Sequence, residues 1–203
     1  MRYTALLILL LPFWPCSQTK ADIIVSHTEI TATTNMTPTG PWPVEAIADG
    51  DFSNLNGFVS PDTSGTVELS FTNTYSLTSF VLHNDVNVAF EGIRDFRLDF
   101  FDGSQNQISV PFSTQYTGPQ NQVAGQPYIF DGVIANVARV DLVILNVHTG
   151  VATQTEIREV QFTAIPEPSA TALILIGTSF TVLRRRRRGI TNKNLTSRSD
   201  VGT

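Results

Sequence analysis

The side chains most able to do chemistry in this sequence are its carboxylates. Sixteen Asp and Glu lie between Asp22 and Ile165, against four arginines and no lysine, a net charge of −12. Two carboxylates at the right separation hydrolyse glycosides, but nothing in the spacing of these sixteen picks out a pair. The composition suits bound cations or neutral polymers better, and it repels phosphate backbones and anionic lipid, which excludes nucleic acid as a partner. The three histidines, His27, His83 and His148, are far apart and form no His-x-x-His or His-Glu-x-x-His spacing, so a zinc or catalytic histidine site has no support. No Gly-x-Ser-x-Gly and no phosphate loop is present, and Asp62-Thr63-Ser64-Gly65 reads as a turn. Trp42, held between Pro41 and Pro43, is a candidate for stacking on a sugar ring; its alternative is to fold down as a cap on the core. Phe90 and Tyr116 are weaker candidates of the same kind.

The elements that must position these groups read as strands. Val67, Leu69 and Phe71 alternate with Thr66, Glu68 and Ser70, and Phe96, Leu98 and Phe100 repeat the pattern, which predicts half-buried strands. Asp102-Gly103 then turns the chain toward Ile108-Ser109-Val110 as a hairpin with a loop longer than two residues. Leu77 to His83 and Val137 to Leu145 are more continuously apolar and predict central strands covered on both faces. With Ile23 to Thr33 opening and Ile157 to Ala164 closing, about eight strands predict an antiparallel sandwich. Ser113 to Pro127, rich in Gln, Gly, Pro and Asn, reads as an exposed loop, and no stretch carries a convincing helical period.

Three landmarks then fall in order: Glu45-Ala46-Ile47-Ala48-Asp49-Gly50-Asp51-Phe52, then Thr66 to Phe71 running into Leu77 to Leu82, then Glu156-Ile157-Arg158-Glu159-Val160-Gln161-Phe162. Together they resemble a discoidin, or F5/8 type C, domain. The resemblance implies an all-β fold, a single antiparallel jelly-roll β-sandwich of the galactose-binding-like type, whose end loops bind carbohydrates, lipid headgroups or proteins. It also implies a structural calcium between the Asp-Gly loop and the last strand, and the positions that match are Asp49, Asp51 and Glu159. Carboxylates joined by loop carbonyls are the hard oxygen ligands calcium takes. Asn54 or Asn56, and then Phe58, stand roughly where the family has Thr and Trp.

The two ends of the chain read as addresses. Arg2 followed by Ala5 to Leu11, with small residues at Thr19 and Ala21, predicts a signal peptide over residues 1–21, a flanking helix cut by signal peptidase after Ala21. Cys16, the single cysteine, leaves with it, so residues 22–165 must be stable without a disulfide. Pro166-Glu167-Pro168 leads into an apolar run, Ser169 to Leu183, closed by Arg184, Arg185, Arg186, Arg187 and Arg188. As a helix its 15 residues reach about 22 Å, short of a ~30 Å hydrocarbon core but enough for a thinned bilayer, with the arginines on the cytoplasmic side. Residues 166–188 resemble the PEP-CTERM sorting signal of Gram-negative bacteria. That resemblance implies a transient membrane anchor, an exosortase as processing partner, and a protein released or held at the surface. Residues 189–203 read as a disordered tail. The whole predicts an exported, non-enzymatic surface or matrix protein that binds extracellular polysaccharide. Its rivals are a purely structural matrix protein and, last, a polysaccharide hydrolase.

Overall fold

A computed structural model of the chain describes residues 21–53, 55–84, 92–118, 125–149 and 153–166. The segment before Ala21 that reads as a signal peptide, Phe90, and everything from Glu167 onward, including Pro168, the apolar run and Arg184 to Arg188, lie outside the described residues. Among the described residues no helix is long and apolar enough to cross a membrane.

Eight strands follow one another: β1 Ile23–Ile24, β2 Ile30–Thr34, β3 Phe58–Ser60, β4 Gly65–Asn84, β5 Ile93–Phe101, β6 Phe112–Gln115, β7 Gln126–Val147 and β8 Thr155–Ile165. Two short 3-10 turns, His27–Glu29 and Val44–Ala48, are the only helical elements described. Every pairing is antiparallel. The two long strands make the sandwich because each belongs to both layers. Gly65 to Ser70 of β4 lies between β2 and Arg139 to Ile144 of β7, whereas Ser76 to Asn84 lies beside β8 and the first half of β7. Register slips between Ser70 and Ser79 mark the bend in β4; in β7 the matching bend holds Gly132 and Asn136, both at positive φ. One layer is thus β2, early β4, late β7, β5 and β6; the other is β1, β8, late β4 and early β7, with β3 on β8.

Aromatic rings fill the space between the layers. Phe80 of late β4 meets Phe96 of β5 at 5.9 Å and Phe162 of β8 at 5.2 Å. Phe96 meets Tyr128 of β7 at 5.1 Å, and Phe100 meets Phe130 at 5.3 Å. These are edge-on or tilted contacts, the arrangement favoured by ring quadrupoles. A core of this kind explains how the domain is stable without a disulfide.

The alternation read from the sequence holds for Val67 and Leu69, and for Phe96, Leu98 and Phe100, all fully buried. Two expectations are corrected. Val137 to Leu145 is not covered on both faces: Val140, Leu142 and Ile144 are buried, while Asp141 and Val143 lie at the outer face and Leu145 is half exposed. Arg139 forms an ion pair with Asp141 on that outer face and lies over the ring of Phe101, so the apolar run is half-solvated. Nor is Ser113 to Pro127 simply a loop. Asp102 closes the hairpin turn through the amides of Ser104 and Asn106, yet the returning strand is β6, pairing with Asp95 to Leu98, and Tyr116 beyond it is buried.

Candidate functional site

The Asp-Gly loop is built by its own polar side chains. It leaves the Val44–Ala48 turn, whose Val44, Ile47 and Ala48 are buried and anchor it to the core. Gly50 then takes φ of +83°, a conformation that favours glycine. The Asp49 carboxylate accepts the Asp51 N–H at 2.8 Å, and the Asp51 carboxylate accepts the Ser53 N–H at 2.9 Å, two successive Asx turns. That second bond holds the Asp51 carboxyl below the usual carboxylate range. Asn56 reaches back across the loop: its Nδ2 donates to the Asp51 carbonyl at 2.8 Å and to the Asp49 carboxylate at 3.1 and 3.2 Å, with the Ala46 carbonyl at 3.5 Å.

Gly57 and β3 then fasten this loop to β8. Phe58 pairs with Ile157 and is fully buried, which brings Glu159, two residues on, beneath the loop. Glu159 is completely buried, and neither carboxylate oxygen has a partner in hydrogen-bond geometry. His27 Nδ1 lies 3.1 Å from Oε1, close in distance but not aligned as a hydrogen bond, and balances the charge only when protonated. The His27 ring also packs over Gly50 and edge-on to Phe52, which in turn meets His83 at 4.7 Å. Burial first, and then repulsion from Asp49, push the Glu159 carboxyl from 4.5 up to about 9; the nearby Gly50 N–H pulls the other way, by more than the smaller repulsion from Asp51 adds.

A stability profile follows from that shift. The folded state holds the Glu159 proton more tightly than the unfolded chain, so this contribution is complete below about pH 4.5 and is lost as pH rises toward about 9. His27, Asp49 and Asp51 are the titratable groups facing it. In chelator, the melting temperature is expected to fall by several degrees across that window. A Glu159→Gln chain is expected to lose most of the slope; an unchanged slope would contradict the assignment.

The sequence therefore located three members of one cluster, with a difference in what each offers. Asp49 turns its carboxylate inward, Asp51 turns its carbonyl inward and its carboxylate to Ser53, and Glu159 lies below. Among the described residues no three His, Cys, Asp or Glu side chains form a metal-holding group, and the oxygens that converge are two carbonyls and one carboxylate. As a donor set they fit a hard cation: all are oxygen, and the buried Glu159 beside them has no aligned hydrogen-bond partner and only His27 within ion-pair distance. His27, Phe52 and Asn56 were missed as members. Only Asn56 carried a sequence signal, as one of two asparagines, Asn54 or Asn56, near the place where the resemblance implies a Thr.

Of the proposed sugar-stacking residues, Trp42 and Tyr116 are described. Trp42 is half-buried, and its indole N–H donates to the Leu55 carbonyl at 3.1 Å. Tyr116 keeps 2% of its surface and packs in the core, so its ring offers no face to a ligand. Of the processing residues, Ala21 is exposed, and Pro166 borders a cleft with Ile23, Tyr75 and Ile165.

No protein-family model matches the sequence, and no curated protein matches it at a significant level. Solved structures do match its fold. The family 32 carbohydrate-binding module of Clostridium perfringens NanJ, solved with galactose, is 12% identical with a TM-score of 0.57, covering 70% of this chain and 99% of that one. An F5/8 type C domain from Bacteroides fragilis gives 10% identity and a TM-score of 0.58, covering 71% and 97%. A fucose-binding module from Streptococcus pneumoniae gives 11% and 0.51, covering 68% and 94%. At such identities the likeness establishes the fold: all-β, antiparallel and galactose-binding-like, as in discoidin-type domains.

Proposed function

We propose that this protein is an exported, non-enzymatic carbohydrate-binding module whose partner is extracellular polysaccharide at the surface or in the matrix of a Gram-negative-type bacterium. The observation that carries the reading is the extent of the structural likeness. The chain matches almost the whole of a family 32 carbohydrate-binding module solved with galactose and of a fucose-binding module, and one neighbour is a family 32 module from a family 31 glycoside hydrolase. Fold alone does not fix function, so the support is by analogy. It is joined by the acidic surface and by the lack of any carboxylate pair that the spacing marks for hydrolysis.

Export and sorting belong to the same reading. Signal peptidase cuts after Ala21, and an exosortase acts near Pro166-Glu167-Pro168 while the apolar run and Arg184 to Arg188 hold the chain in the membrane. A structural calcium is held by the Ala46 and Asp51 carbonyls and the Asp49 carboxylate, with Glu159 behind them. When bound, the ion would supply positive charge beside the Asp49 carboxylate and favour the ionised form of Glu159, tying the loop to β8.

A glycan array probed with the purified chain, once in calcium and once in chelator, tests the proposal. Saturable binding is expected, and Trp42→Ala is expected to weaken it about tenfold or more, the loss of one stacked aromatic contact. Binding unaffected by Trp42→Ala would move the site elsewhere. A flat array from a folded chain would favour the structural-matrix reading, which the tethered Trp42 and buried Tyr116 also favour.

A further inference from the structure

The ring of oxygens around Asn56 has more acceptors than one amide can satisfy. A primary amide carries two hydrogens, yet Ala46 O, both Asp49 carboxylate oxygens and Asp51 O all lie 2.8–3.5 Å from Nδ2. Behind them Glu159, fully buried and without a hydrogen-bond partner on either oxygen, faces the Asp49–Asp51 loop. Oxygens converging from a carboxylate and two carbonyls form the shell of a hard cation, and here an –NH2 group stands at its centre. The spacing belongs to hydrogen bonds, since calcium draws oxygens in to about 2.3–2.6 Å. The orientation of the amide follows from the same count. Its nitrogen is the only end with hydrogens for these acceptors; turned half a revolution about its terminal bond, it would present Oδ1 as a further oxygen.

We propose that the Asn56 side-chain amide takes the structural place of a bound cation in this loop, so that the loop holds its shape in chelator and calcium enters only by displacing or turning that amide. The second half rests on the calcium reading above; the first does not. Asn56 is thus a positioning residue.

The test compares melting curves of the full chain and an Asn56→Asp chain in excess calcium and in chelator. Aspartate keeps the shape, removes both hydrogens and adds a negative charge. The native chain is expected to unfold cooperatively in chelator with a small gain from calcium. Asn56→Asp is expected to melt roughly 5 °C or more lower in chelator and to regain most of that in calcium. A variant that melts like the native chain in chelator overturns the proposal, as does a native chain that loses its cooperative transition there. A variant weakened in chelator and unrestored by calcium supports the amide's role and overturns the calcium reading, so the two failures are distinguishable. Should the variant not fold, the side-chain amide protons of Asn56 in the native chain decide by NMR. Slow exchange in chelator supports the proposal, and solvent-like exchange overturns it.

Discussion

A Gly57→Ala chain is expected to lose about 3 to 5 kcal/mol of stability, a large share of the roughly 5–15 kcal/mol that holds a typical domain folded. Two costs add. Gly57 has φ of +133°, where a side chain is strained by about 1–3 kcal/mol. A Cβ there would also lie 2.3 Å from the Ile157 carbonyl oxygen and 2.8 Å from the Arg158 Cα. Both neighbours are backbone atoms of β8, which cannot yield without breaking the pairing of Phe58 with Ile157. The same shift would lift the Asp-Gly loop from Glu159, so the calcium response is expected to fall with stability. Urea unfolding measures the first effect. A loss below about 1 kcal/mol would mean that β3 is not held against β8 as described.

Phe80→Ala is expected to cost about 3–5 kcal/mol, the usual range for deleting a buried ring. Phe80 is fully buried and touches Phe96, Tyr128 and Phe162, at ring separations of 5.9, 6.1 and 5.2 Å. Phe96 belongs to the opposite layer, whereas Tyr128 and Phe162 flank Phe80 on the neighbouring strands of its own. The cavity therefore opens at the centre of the sandwich, where β4 and β7 are bent and cannot slide inward independently. Denaturant midpoints check the value. A cost near 1 kcal/mol would require the layers to collapse onto the gap, and the slope of the transition would then change with the midpoint.

The two substitutions probe different kinds of information. The importance of Phe80 is legible from Leu77 to His83 as an apolar run, because burial of a strand is written in its own composition. Gly57 gives no such signal. Its role depends on β8, a hundred residues later, approaching until there is no room for a Cβ. The same division runs through the site. Asp49-Gly50-Asp51 is a local turn and could be read locally, and Glu159 was found because an ordered family pattern links it to that loop. His27 and Phe52 could not be found, since their contacts with Glu159 and His83 arise only when strands distant in sequence come together.

Strand alternation, the acidic composition and the lack of recognisable catalytic motifs were legible residue by residue, and the terminal segments carry patterns that read as export and sorting signals but lie almost wholly outside the described residues. These are properties of neighbouring residues, where a period of two or a run of like residues has a physical consequence whatever surrounds it. The packing of the strands settled that Val137 to Leu145 is solvated on one side, that β6 runs into a Gln- and Gly-rich stretch, and that Tyr116 is buried. It also decided that Asp51 turns its carbonyl rather than its carboxylate toward Asn56, and that Asn56 is the group on which the loop's oxygens converge. Each of these depends on which strand lies beside which and on which rotamer that leaves open, and no local pattern carries that information.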